Sequence, residues 1–247
     1  MIILSKKDIR HKNQLFLLLR EILQDALLSQ KLMFKGGTYA SLRGVLNRFS
    51  VDLDFDLPEK KEKNNIRNRC YEIFKKLNLE VKDESKNHLQ FFLKYDAPKG
   101  ERNTLKLEIN DDVSKYNVYE KVLLKQVNMY CNGHTLDTMF ANKVVACKAR
   151  FEKNNKIAGR DFYDIYEFFL QGLDINKKVV EERTGMGYIE YLSSLIPFIK
   201  KKVNKKLLNQ DLNTLVSQKD LNILLLNLEN SLITFLEDEI ANNVVKD

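Results

Sequence analysis

Leucine and isoleucine recur at helical spacing across residues 8–28. Leu15, Leu18, Leu19, Ile22, Leu23, Ala26 and Leu27 fall on one face and predict an amphipathic helix. The period then changes. Leu32-Met33-Phe34 reads as a short apolar strand, Gly36-Gly37-Thr38 follows it, and residues 39–46 have room for one or two helical turns. Residues 49–57 alternate with period two. Phe49, Val51, Leu53, Phe55 and Leu57 point one way and Ser50, Asp52, Asp54 and Asp56 the other, which predicts a strand with one buried face, ended by Pro58. A charged helix is expected over 59–77 and strands over 88–95 and 104–110. In the last of these Leu105, Leu107 and Ile109 face the core, opposite Thr104, Lys106 and Glu108. From about residue 135 the pattern is helical. One helix, capped by Thr135 or Asp137, should run to about Phe151, and a second should cover 160–171. A leucine- and lysine-rich helical tail follows from 174 to 247. The shift in composition at Asn132-Gly133 is the expected domain boundary, dividing 1–132 from 133–247.

Composition narrows the class of protein. With 44% hydrophobic and 30% charged residues in 247, the chain is a folded protein and not a disordered one. Three prolines and nine glycines leave room for long helices. Cys70, Cys131 and Cys147 are odd in number and without C-x-x-C spacing, which argues against a disulfide framework or a structural zinc site. His11, His88 and His134 are too scattered for a histidine-rich metal centre. The start, MIILSKKDIRHKNQ, runs straight into charge, unlike a signal peptide, and no apolar run is long enough to span a membrane. A cytoplasmic protein without membrane association is the expectation. The net charge of +7 gives weight to a polyanionic partner without identifying one.

Candidate chemistry begins with Asp52 and Asp54. Carboxylates at i and i+2 on a strand project from the same face, about 6.5–7 Å apart at Cα, and their oxygens suit hard cations such as Mg²⁺. Two such ions can activate a hydroxyl and stabilise a departing pyrophosphate. Glu108, on the polar side of a later strand, is the candidate third carboxylate. The competing reading is an edge strand with a solvated acidic face, which has the same alternation. Gly36-Gly37-Thr38 bears on the choice. Glycines let a phosphate approach the backbone, and the Thr38 hydroxyl could bond a phosphate oxygen, although many turns have this composition.

The order is more specific than its parts: Gly-Gly-Thr, thirteen residues, Asp-x-Asp, then an acidic strand. It resembles the DNA polymerase β nucleotidyltransferase superfamily. Lys35-Gly36-Gly37-Thr38 with Arg48-Phe49-Ser50-Val51-Asp52-Leu53-Asp54-Phe55 further resembles the AbiEii/AbiGii toxin family. Glu108 within Lys106-Leu107-Glu108-Ile109 is similar to that family's third acidic strand, and Ala141–Ala146 to its lysine-bearing helix. Arg150 and Gly159-Arg160-Asp161-Phe162-Tyr163-Asp164 are similar to its R-D-x-x-D segment. The resemblance covers about 30–170.

The resemblance implies an α+β protein, with a mixed-sheet nucleotidyltransferase lobe followed by a helical C-terminal lobe. It implies an NTP-using toxin of a toxin–antitoxin or abortive-infection system, dependent on Mg²⁺ or Mn²⁺. Its acceptor would be RNA, at the acceptor end of tRNA, and a cognate antitoxin protein would be its partner. The implied metal ligands are Asp52, Asp54 and Glu108, which with Lys143 and Asp161 form the catalytic set. Lys35, Gly36, Gly37, Thr38, Arg48, Ser50, Lys143 and Asp164 form the nucleotide-binding set.

Several of these residues have ordinary roles open to them. By helical pattern Lys143 is a surface lysine, and in context a triphosphate contact. Asp161 and Asp164 share a helix face as caps or dipole partners, or else orient Lys143 or act near the metal or the acceptor. Arg48 either neutralises the acidic strand or binds phosphate, and Ser50 looks into the cleft as a supporting group. Lys200-Lys201-Lys202 with Lys205 and Lys206 is either a solvated helix face or a grip on RNA. Two other functions keep the same residues: transfer to a protein or small molecule, and a non-catalytic binding protein.

Overall fold

A computed structural model describes residues 6–244, so the apolar start at 1–4 and the last three residues of the predicted tail lie outside the described residues. The leucine face of the first segment forms α1 (Lys6–Gln24), which does not run on to residue 28. Asp25 interrupts it. Its Oδ1 accepts the backbone N–H groups of Leu27 and Leu28 at 3.0 and 2.9 Å, and its Oδ2 takes Arg69 at 2.5 and 2.8 Å. A side chain that satisfies the free N–H groups of a new turn ends one helix and starts another, here α2 (Leu28–Lys31).

Next come β1 (Met33–Lys35) and α3 (Gly36–Leu42), which begins at the first glycine and not after the turn. β2 (Asp52–Asp56) is shorter than the alternation over 49–57. The backbone ahead of it is engaged outside the sheet: Phe49 N–H donates to the Leu215 carbonyl at 3.2 Å, and His11 Nε2 donates to the Val51 carbonyl at 3.0 Å. A 3₁₀ turn (Lys60–Glu62) and α4 (Lys63–Lys76) occupy the predicted charged helix. The remaining strands are β3 (Glu80–Glu84), β4 (Leu89–Lys94), β5 (Thr104–Asn110), β6 (Tyr119–Leu124) and β7 (Met129–His134).

Among the described residues the strands make one mixed sheet in the order β3-β4-β5-β2-β1-β7-β6. β2 runs parallel to β5 and β1 parallel to β7, and the other neighbours are antiparallel. Leu53, Phe55, Leu107 and Ile109 are buried on one side beneath α1 and α4, and Phe34 stacks on Phe55 at 4.8 Å. Gly133 sits where a Cβ would come 2.6 Å from the Tyr39 ring and 2.8 Å from the Phe34 carbonyl, so β7 can pack only as glycine there.

The helical lobe follows at once: α5 (Leu136–Asn154), α6 (Gly159–Leu170), α7 (Lys177–Thr184), α8 (Tyr188–Lys202), α9 (Lys205–Leu212) and α10 (Gln218–Val244). The architecture is therefore a mixed sheet lobe followed by a largely helical lobe. Among the described residues no helix is long and apolar enough to cross a membrane.

Candidate active site

The polar side of β2 and β5 forms one wall of a cleft of about 420 Å³, and α5 and α6 form the other. Register places the acids. Asp54 is level with Glu108 across the parallel pair, and Asp52 is level with Lys106. Lys35, Gly36, Gly37, Arg48, Ser50, Asp52, Asp54, Glu108, Lys143 and Asp161 all line this cleft. Thr38 and Asp164 do not. Thr38 is buried and donates its hydroxyl to the Asp52 carbonyl at 2.5 Å, so that proton faces β2 and is not offered to a phosphate. Asp164 is wholly buried behind the cleft wall.

The Gly-Gly turn has a steric cause on each glycine. Gly36 has φ +78°, and a Cβ there would lie 2.3 Å from Asp54 Oδ2. At Gly37 a Cβ would meet Arg48 Nη2 at 2.6 Å. The turn is thus pressed against an acid on one side and a guanidinium on the other.

Arg48, 5% exposed, makes a two-pronged bond to Asp164: Nε to Oδ1 at 2.5 Å and Nη2 to Oδ2 at 2.7 Å. Lys143 Nζ joins them, 2.9 Å from Asp164 and 3.4 Å from Asp161. Burial alone would raise the Asp164 pKa, but Arg48 and Lys143 hold it below the usual carboxylate range. Burial opposes the charge on Lys143 in turn, and Asp164 and Asp161 more than restore it. Of the open readings, this geometry overturns three ordinary ones. Lys143 is not a surface lysine. Asp161 and Asp164 are not caps, since α6 is preceded by Ala158 and its Gly159 N–H is taken by Asp211 at 2.6 Å, while Asp161, in the first turn of α6, keeps the role of dipole partner. Arg48 neutralises Asp164 and not the acidic strand.

The strand carboxylates are less settled. Burial, then the charges of Asp52 and Glu108, push Asp54 up to about 6. For Glu108 burial acts upward too, but hydrogen bonding to Lys106 lowers the pKa below its ordinary value, with help from Gln90 Nε2 at 3.1 Å. Among the described residues no group of three His, Cys, Asp or Glu side chains stands ready to hold a metal ion. The donor set nevertheless fits one. It consists of hard oxygens on neighbouring strands, with a surplus of negative charge that holds one proton more readily than a free aspartate does.

Sequence reasoning did not assign Lys106, His134, Met139, Asn142, Arg160 or Leu215 to this cleft, and all of them line it. Lys106 was legible on the polar side of β5, and Asn142 and Arg160 stand beside residues already singled out. Leu215, from the segment before α10, and His134 left no local trace.

A family model described as "Nucleotidyl transferase AbiEii toxin, Type IV TA system" matches residues 17–226. Among solved structures, a candidate nucleotidyltransferase from H. pylori superposes with a TM-score of 0.59 at 21% identity, with 98% of each chain covered, a likeness of fold. An antigenic nucleotidyltransferase-like protein from Paracoccidioides brasiliensis gives 0.48 at 15%, over 88% of this chain and 98% of that one. MenT4, a nucleotidyltransferase toxin from Mycobacterium tuberculosis H37Rv, gives 0.47 at 17%, over 94% and 83%. No curated protein sequence matches the chain.

Two stability predictions follow from the charges. A carboxyl with a raised pKa in the folded state binds its proton more tightly there, so its contribution is present at low pH and lost as pH rises through about 6. In metal-free buffer Asp54→Asn should therefore match the parent near pH 4 and exceed it by about 1–2 kcal/mol near pH 7. Denaturant titrations at both pH values read this, and equal stabilities throughout would mean that Asp54 is not strained. Removing one member of a buried pair is harsher. Arg48→Met should cost about 3–5 kcal/mol in urea unfolding, and adding Asp164→Leu should recover part of that loss.

Proposed function

The chain belongs to the AbiEii family of nucleotidyltransferase toxins of type IV toxin–antitoxin systems, and on that premise we propose that this cleft transfers a nucleotide from an NTP to an acceptor hydroxyl. The observation that carries the reading is the pairing of Asp54 with Glu108 at one register, facing Lys143 and Asp161 across the cleft. The acceptor oxygen attacks the α-phosphorus, the bond to pyrophosphate breaks, and the acceptor proton passes to Glu108, which its neighbours keep ionised. Lys143, oriented by Asp161 and Asp164, neutralises charge on the phosphates. Lys35, Arg48 and Ser50 surround the glycine turn, whose backbone a phosphate can approach closely. Asp52, Asp54 and Glu108 would hold Mg²⁺ or Mn²⁺, which supplies charge neutralisation at the reacting phosphate. The domain division belongs to the same reading, with the carboxylates in the sheet lobe and Lys143, Asp161 and Asp164 in the helical lobe. The boundary expected between 132 and 133 falls inside β7, whose Gly133 and His134 pair within the sheet, so we put the division after His134.

We assign RNA, at the acceptor end of tRNA, as the acceptor, and a cognate antitoxin protein as the partner that restrains the toxin. The lysine cluster supports RNA by its position. Lys202 Nζ lies 4.1 Å over the ring of Phe151, next to Arg150 on the cleft wall. On this reading the end of α8 is the route by which a polyanion would approach the cleft.

Incubation with each labelled NTP and total bacterial RNA tests the transfer. Asp52→Asn and Lys143→Ala should each lower labelling by about 100-fold or more while the protein stays folded. Near-parental labelling in either variant would remove that residue from the site. RNA affinity measured across salt tests the path. Replacing Lys201, Lys202 and Lys205 with alanine should flatten the dependence by about 0.7–0.9 in log–log slope per lost phosphate contact. An unchanged slope would exclude the cluster, and RNA that neither binds nor accepts label would favour a protein or small-molecule acceptor.

A further inference from the structure

Asp56 is the third acid on its face of β2, yet it is 1% exposed and does not line the cleft. Its partners surround it. Oδ1 meets Lys35 Nζ at 2.5 Å, and Oδ2 accepts from His134 Nε2 at 2.8 Å, Asn117 Nδ2 at 3.0 Å and Tyr119 OH at 3.3 Å. A carboxylate so surrounded can only accept, so the Asn117 atom facing it must be the amide nitrogen. That leaves Asn117 Oδ1 to accept, and it does so from Asn142 Nδ2 at 2.9 Å. The same Asn142 nitrogen donates its second hydrogen to the Thr138 carbonyl, also at 2.9 Å. A main-chain carbonyl cannot donate. Two independent partners therefore fix the orientation of the Asn142 amide by chemistry alone.

The consequence is directional. Both donors of Asn142 are engaged inside the protein, and its Oδ1 has no partner among the described residues. Asn142 lines the cleft, one residue before Lys143 and one turn after Met139, which lines the same wall. We propose that Asn142 is a specificity-determining residue that offers the bound nucleotide a hydrogen-bond acceptor, with its orientation held by the Thr138 carbonyl and by Asp56 through Asn117. A nucleotide with a donor at that point is favoured: the exocyclic amine of adenine or cytosine, or a ribose hydroxyl. A carbonyl oxygen at the equivalent ring position, O4 of uracil or O6 of guanine, meets Oδ1 lone pair to lone pair. Asp56 thus acts on selectivity without touching the nucleotide. This inference rests on the reading that the cleft holds the NTP.

Calorimetric titration with the four ribonucleoside triphosphates and their 2′-deoxy counterparts, with Mg²⁺ present, tests it. The parent should prefer one class of donor, either adenine and cytosine over uracil and guanine, or ribose over deoxyribose. Asn142→Ala, a favourable helix substitution, should shrink that preference about tenfold. Asn117→Ala should shrink the same ratio by less than Asn142→Ala does, because the Thr138 carbonyl still holds one hydrogen of the amide. A merely structural role would lower all eight affinities together and leave their ratios alone. Unchanged ratios in a folded Asn142→Ala that still binds nucleotide would overturn the proposal and leave the cleft assignment intact. If the parent binds none of the eight, the cleft assignment fails and this inference with it.

Discussion

The buried pair between Arg48 and Asp164 is the constraint on which the cleft depends. Charges taken out of water are tolerated only with close and complete pairing, and this pair has it: two short bonds, and Lys143 on the outer carboxylate oxygen. Arg48 comes from the loop ahead of β2 and Asp164 from the second turn of α6, so the bond closes the two walls on each other. It also dictates composition nearby, since the guanidinium occupies the space a side chain at residue 37 would need. The glycine turn, the acidic strand and the lysine helix hold their relative places because one arginine reaches across them.

Against that fixed pair, the strand side of the cleft is adjustable. Glu108 is held by Lys106 and Gln90, Lys35 by Asp56, and Asp54 is crowded by its neighbours. Cations of the protein occupy some of the acidic oxygens, which keeps the charge tolerable. A cation held by these acids would have to compete with Lys106 for the Glu108 carboxylate. The α5–α6 side has no such slack, because Arg48, Lys143 and Arg150 already pair with Asp161 and Asp164, three cations on two buried acids.

The period-two run at 52–57 and the Gly-Gly-Thr turn made the acidic wall legible in the sequence, since alternation and glycine report local backbone geometry. The opposite wall was legible only as a resemblance. Lys143 reads as a surface residue on its own helix because the two aspartates that bury it come from α6, and helical periodicity records nothing about a neighbouring helix. Ser50 and Phe49 continue the alternation of β2 but leave the sheet, because Leu215, 166 residues further on, takes the Phe49 N–H. Thr38 was expected at the phosphates, and only the fold reveals that the Asp52 carbonyl stands in front of its hydroxyl. The strands β6 and β7 lack a clean alternation, and β3 has almost no apolar residue to signal it.

That last shortfall in β3 has a use for the folded chain. A sheet must stop somewhere, and its outermost strand has open backbone groups that could recruit another chain. Here the terminal strand reads Glu80-Val81-Lys82-Asp83-Glu84, mostly exposed, with a register shift between Val81 and Asp83. A second copy laid antiparallel about Lys82 would bring Glu80 opposite Glu84 and lysine opposite lysine, with only Val81 and Asp83 between them free of a like-charge partner. The same residues that conceal the strand from a hydrophobic reading make the sheet's open margin repel its own likeness.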